Sequence, residues 1–155
     1  MGTNTVEVAT IKFYSAEDEY GEFSNFSRYS ISLKGKMWST SEHYFQAQKF
    51  LDTAYREKIR NAKTPSIAAR LGRSRTHKIR VDWDSSKVQV MREAVTAKFK
   101  QHQDLQDLLL STGTAKLVED TTEDDYWGIG SDGRGKNMLG KILMEVRAAM
   151  LNDGN

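Results

Sequence analysis

The chain has 155 residues, enough for one domain with a real core and too few for two comfortable ones. Hydrophobic residues at 38% and charged residues at 28% give a globular balance, and a net charge of +2 argues against duplex DNA or an anionic membrane as a partner. No cysteine is present, which excludes disulfides, thiolate metal sites and a cysteine nucleophile.

The opening segment MGTNTVEVAT lacks the charged and apolar parts of a signal peptide, and no apolar run approaches the roughly 20 residues of a membrane span. Met1-Gly2 matches the start of a myristoylation site, but nothing else supports an anchor. The expectation is a cytoplasmic monomeric domain. Alternation in residues 9–14 (ATIKFY) and 29–33 (YSISL) predicts two strands, parted by a polar turn around residues 18–21. A long helix is expected from Ser39 to about Asn61, with Tyr44, Ala47, Leu51 and Tyr55 facing the main core. Thr64 then caps a short helix with Pro65 at its first position and Gly72 at its end. A helix over residues 84–100 buries Val88, Met91, Val95 and Phe99, and another covers residues 104–110. A short strand follows at residues 116–119. The last helix opens near Asn137 and turns Leu139, Ile142, Leu143, Val146 and Met150 inward. Helix dominates over a few short strands, which predicts a compact, single-domain α+β fold.

Within the long helix, Glu42, Gln46 and Lys49 fall at roughly 0°, 40° and −20° around the axis, taking about 100° per residue. An acid, an amide and an amine thus share one narrow stripe facing away from the core. Phe45 and Phe50 flank it, as aromatic walls beside a polar seam that a second layer covers. Two readings compete for Glu42. Ser39 and Glu42 form an S-x-x-E capping box with Glu42 at the third helical position, and capping worth about 1 kcal/mol explains a glutamate without chemistry.

A second cluster spans residues 124–140, DDYWGIGSDGRGKNMLG, with a G-x-G-x-x-G at Gly128, Gly130 and Gly133. A dinucleotide fold is ruled out, because no buried strand precedes the glycines and no further βα unit follows. The loop reads either as a phosphate cradle of backbone N–H groups feeding a helix, or as a surface loop with Asn137 as an ordinary N-cap. Trp127, three residues after Asp124, is either a stacking platform beside a carboxylate or a core residue. The basic run at residues 70–80 reads as a solvated connector or a phosphate landing place. In FSNF at residues 23–26, two aromatics bracket Ser24 and Asn25, as a buried turn or a binding rim. His43, His77 and His102 show no metal-ligand spacing.

FSNF at residues 23–26, WSTSEHYFQAQK at residues 38–49, KLVED at residues 116–120 and the run from DDYWG to GKNMLG resemble the YbiA-like, or NADAR, family. The resemblance covers about residues 13–150, in order. It implies a compact α+β fold and action on N-glycosidic bonds of ribosyl groups. Single-domain bacterial members are similar to N-glycosidases that cleave ribosylaminopyrimidine 5′-phosphates of riboflavin biosynthesis to ribose 5-phosphate and a free pyrimidine. Other relatives are associated with NAD or ADP-ribose, including removal of ADP-ribose from guanine in DNA.

This resemblance implies a catalytic set of Glu42, Lys49 and Asp124. Lys49 would form a Schiff base with the opened sugar, Glu42 would shuttle protons, and Asp124 would stabilise positive charge or position water. A nearby carboxylate raises a lysine's pKa, so the pairing of Glu42 with a nucleophilic Lys49 carries an internal tension. Trp127 would stack on a base or ribose, while Gly128, Gly130 and Asn137 hold phosphate or hydroxyls. Ser24, Asn25 and Gln46 complete the substrate-binding set. No metal or cofactor is called for, and the partner is a small phosphorylated ribosyl compound. Nucleic acid enters only if the reaction is removal of ADP-ribose; a non-catalytic NAD or ADP-ribose module is the remaining alternative. Residues 124–140 are expected to fold over the Glu42/Gln46/Lys49 stripe and make one pocket.

Overall fold

Strand β1 (Thr10–Phe13) finds its partner not in the next strand but late in the chain. It pairs in parallel with β4 (Lys116–Glu119), Thr10 opposite Lys116 and Phe13 opposite Glu119. The computed structural model describes residues 9–153, so Met1-Gly2 lies outside the described residues. Successive side chains of a strand face opposite ways. Leu117 therefore points to the same side as Glu119, and Leu117 is fully buried. Strands β2 (Ile31–Leu33) and β3 (Lys36–Trp38) form a separate hairpin. Its turn, Lys34-Gly35, has both residues at positive φ, as a tight hairpin of right-handed strands requires. β3 was not anticipated; two of its three residues face solvent.

The helices are α1 (Ser41–Gln48), α2 (Thr53–Arg60), α3 (Pro65–Gly72), α4 (Trp83–Gln101), α5 (Gln103–Ser111) and α6 (Met138–Asp153). The α+β, mainly helical reading holds. The expected long helix is in fact two. Asp52 accepts the N–H groups of Ala54 and Tyr55 and so caps α2 as a new start. Lys49 and Phe50 meanwhile join their backbone to Arg80 and Ile79. The break turns Leu51 out to 58% exposure instead of into the core. Tyr44, Ala47 and Tyr55 are buried as expected.

The cap of α1 is also one residue later than expected. Thr40, not Ser39, accepts the His43 N–H, which makes Glu42 the second helical residue and dissolves the capping box. His43 is buried between Thr40 Oγ1 at 2.8 Å and the Ala62 carbonyl at 3.0 Å. That pairing suits a neutral ring with the proton on Nε2, and burial holds its pKa down.

The core gathers Phe13, Phe23, Tyr44, Phe99, Leu117, Ile142 and Leu143 around α1, α4 and α6. Lys98, 1% exposed, crosses it from α4. Its Nζ donates to the Glu22 carbonyl at 2.5 Å, the Ser24 carbonyl at 2.9 Å and Ser27 Oγ at 2.8 Å. Burial pushes its pKa down to about 7, while the three oxygens supply an acceptor for each ammonium proton. At the far end, Asn137 (φ 53°) donates to the Leu117 carbonyl and accepts the Glu119 N–H, latching β4 to α6.

Replacing Lys98 by methionine keeps the length and removes the donor, leaving those oxygens without it. Unfolding in urea is expected to show a loss of about 3 kcal/mol, since hydrogen bonds to a charged donor are worth more than neutral ones. A variant as stable as the wild type would show that the cage carries no weight.

Candidate active site

Helix α1 owes its position to the FSNF loop. The Asn25 carbonyl accepts the Glu42 N–H at 3.3 Å, and Asn25 Oδ1 accepts Ser41 Oγ–H at 2.8 Å. Asn25 Nδ2 turns to Met91 Sδ on α4, and Ser24 Oγ accepts the Phe26 N–H. With its first turn held in this way, α1 presents Glu42, Phe45, Gln46 and Lys49 to a cavity of about 930 Å³. The opposite walls are Asp124, Trp127 and Glu119 from the chain around and beyond β4, and Arg73, Trp83 and Lys87 from α3, α4 and their connection.

Glu42 is 8% exposed and accepts Gln46 Nε2 at 2.8 Å. Burial pushes its carboxyl up to about 6; the Gln46 bond and the Arg73 and Lys49 charges pull the other way, and Asp124 adds to the rise. Lys49 is half-buried and donates to the Gly72 carbonyl at 2.7 Å. Burial lowers its pKa, Arg73 and Lys87 lower it further, and only Glu42 opposes them. The balance of acid and cations on the amine is therefore a net lowering. Gly72 leaves room for the Gln46 side chain: a Cβ there would collide with Gln46 Oε1.

Asp124 Oδ1 accepts the N–H groups of Tyr126 and Trp127 at 2.9 and 2.8 Å, a tight turn that aims the indole. Trp127 meets Phe45 edge-on at 5.3 Å while lining the cavity, so it is packed against the core and open to the cavity at once. The cavity thus brings together Glu42, Lys49, Asp124, Ser24, Asn25, Gln46 and Trp127. Phe50 instead packs on Tyr55, away from the lining.

Gly128, Gly130 and Asn137 do not line it. Gly128 lies against the Glu119 carbonyl and the Thr121 methyl, and Gly130, at φ 70°, lies against Asp125. The N–H groups of Ile129, Gly135, Lys136, Asn137, Met138 and Leu139 all donate to protein carbonyls. The expected phosphate cradle is corrected by that bonding: the glycines let the loop fold on itself, and Asn137 is a latch.

Sequence reasoning missed Glu119 and Lys87 as members of the lining, and it named Arg73 only within the basic run. Glu119 carried a signal in its register with buried Leu117 two residues earlier, which puts an acid on the core side of a strand. Burial pushes it up to about 7, helped by the charges of Asp124 and Glu42. Arg73 lies in the basic run that reads as a solvated connector or a phosphate landing place, Lys87 in a helix read only for its buried face, and the tertiary fold turns both to the cavity.

The NADAR domain profile matches residues 12–151. N-glycosidase YbiA of Escherichia coli (strain K12) is 58% identical over 137 residues, covering 88% of this chain and 86% of that protein. Riboflavin biosynthesis protein VVA0006 of Vibrio vulnificus (strain YJ016) is 44% identical over 137 residues, covering 88% of this chain and 37% of that protein. The NMR structure of the E. coli protein YbiA superposes with a TM-score of 0.88 at 55% identity, covering 96% of this chain and 89% of that one.

Because Glu42 is held above its unfolded pKa, the folded chain binds the extra proton between about pH 4.5 and 6, and stability falls as pH rises through that window. Glu42→Gln keeps the acceptor for Gln46 and removes the charge. Thermal melts should find the variant more stable than wild type at pH 8, by about 2 kcal/mol from the size of the shift, with the gap closing at pH 4. A variant less stable at pH 8 would mean that Glu42 is needed as an anion to hold the fold.

Proposed function

The chain belongs to the NADAR domain family, and we propose that it is an N-glycosidase of the riboflavin pathway. It hydrolyses the ribose C1′–N bond of ribosylaminopyrimidine 5′-phosphates, giving ribose 5-phosphate and a free pyrimidine. The observation that carries this reading is the meeting of Lys49 with Glu42 on the wall of one cavity, where burial and Arg73 hold the lysine below its usual pKa. An amine with a lowered pKa beside a carboxyl with a raised one is a pairing suited to imine chemistry. At about 930 Å³ the cavity also has the size of a small-molecule site.

Nitrogen on C1′ pushes out the ring oxygen and opens the sugar to an imine. Lys49 Nζ adds to C1′, the pyrimidine amine departs with a proton, and water hydrolyses the lysine imine. Glu42 exchanges protons with Lys49 during addition and hydrolysis, and Asp124 steadies the positive charge that develops near C1′. Such acid–base assistance is worth about 10²–10⁴-fold in rate. Trp127 and Phe45 hold the pyrimidine, and Gln46 with the Ser24–Asn25 turn borders the ribose. Arg73 and Lys87 line the cavity and take the phosphate, in place of the glycine loop, whose N–H groups from Gly135 to Leu139 are already bonded.

Incubated with the ribosylaminopyrimidine phosphates of the pathway, the protein is expected to release ribose 5-phosphate. Borohydride added during turnover should trap a sugar on the wild-type chain and none on Lys49→Ala. Lys49→Arg keeps the charge without the nucleophile and should be as inactive as the alanine variant. An active Lys49→Ala enzyme would sink the covalent route. Clearing of ADP-ribosylated DNA, or binding of ADP-ribose without product, would replace the substrate assignment.

A further inference from the structure

Of the carboxyl groups that line the cavity, Glu42, Asp124 and Glu119 act on one another, and their hydrogen bonding sets one apart. Glu42 accepts Gln46 Nε2, and Asp124 accepts two backbone N–H groups. An N–H donor can solvate a carboxylate oxygen, and both of these side chains have one. Glu119 Oε2 is buried, and no donor among the described residues reaches it. Burial of an oxygen with no donor favours the protonated carboxyl over the anion, and like charges beside it add to that.

Its backbone is fixed on both sides. The Glu119 N–H donates to Asn137 Oδ1 at 2.9 Å, and its carbonyl accepts the Ile129 N–H at 3.1 Å. The side chain therefore enters the cavity from the end of β4, across from α1. This arrangement of three acids, two with donors and one without, is what divides an acid from its neighbouring bases in one site.

We propose that Glu119 is the acid of the reaction, delivering its carboxyl proton to the nitrogen that leaves C1′. The proposal rests on the N-glycosidase reading above. As the C1′–N bond breaks, its electron pair stays on nitrogen, and nitrogen takes the Glu119 proton and departs as the neutral amine. Water then adds at C1′ and gives up a proton, which returns to the Glu119 carboxylate. One water is consumed and no other reactant is needed.

The groups that set this proton are known by position. Glu42 and Asp124 face it as like charges, and both raise its affinity for the proton. The remaining ionisable groups of the lining are Lys49 from α1, Arg73 after α3, Lys87 from α4 and Glu123 beside Asp124. Tyr14, Glu17 and Arg28 complete them from the chain that follows β1. The proton is lost as pH rises past about 7.

The test is the pH profile of kcat for ribose 5-phosphate release. Wild type should lose activity as pH rises past about 7. Glu119→Gln should lower kcat about 10²-fold or more with KM little changed, and abolish that alkaline fall. Glu119→Asp, which keeps an acid one methylene shorter, should recover part of the rate and move the fall. Infrared spectra of the unliganded protein at neutral pH should show a protonated carboxyl band that Glu119→Gln lacks. A Glu119→Gln enzyme that keeps its kcat and its alkaline fall, or that retains the band, overturns the assignment. If wild type releases no ribose 5-phosphate at all, the N-glycosidase reading fails, while the infrared band still decides where the proton sits.

Discussion

A single buried ammonium organises the approach to the active site. Lys98 lies among core side chains, where an unsatisfied charge is unaffordable, and three oxygens of one short loop surround it. The loop can hardly move without stripping the charge of a partner. That loop in turn supplies the Asn25 carbonyl and amide oxygen to the first turn of α1, and α1 carries Glu42, Gln46 and Lys49. The positions of the reacting groups thus trace back to a cation that does not line the cavity. A positively charged anchor in the core suits this use because it demands several acceptors at once, where a hydrophobic side chain would accept many arrangements.

Inside the cavity the electrostatics run against stability. Burial and like charges raise Glu42 and Glu119, while burial and neighbouring cations lower Lys49. Each group is shifted toward its uncharged form, which suits it better to exchange protons. The fold compensates elsewhere, through apolar packing of α4 and α6 and through helix starts capped by Thr40, Asp52 and Thr64.

The parts that were legible in the sequence are those with a local cause. Helical period alone places Glu42, Gln46 and Lys49 on one stripe, and the Thr64-Pro65 start of α3 follows from capping chemistry. The parts that were not legible depend on distant chain. Ser39 and Thr40 are equivalent as caps by type, and only the fit of His43 against Ala62 chooses between them. The break after Lys49 needs the backbone of residues 79–80 alongside. The glycines announced an unusual loop, yet whether its N–H groups point at a ligand or at one another is a matter of tertiary closure. Glu119 lay between these cases: strand alternation put it on the core side, but the orphan state of its oxygen appears only once Glu42 and Asp124 are beside it.

The parallel pairing of β1 with β4 has a consequence for how the enzyme comes into being. Some hundred residues of chain must be gathered before those two strands meet, so the contact is among the least local that a domain of this size can make. Both strands open onto the cavity at their C-terminal ends, and Asp124 and Trp127 arrive later still. During synthesis, helices α1 to α5 have all emerged before Glu119 and Trp127 exist to close the site. A growing chain therefore holds the amine of Lys49 without the acid opposite it, and no half-made enzyme presents a complete pocket to its substrate.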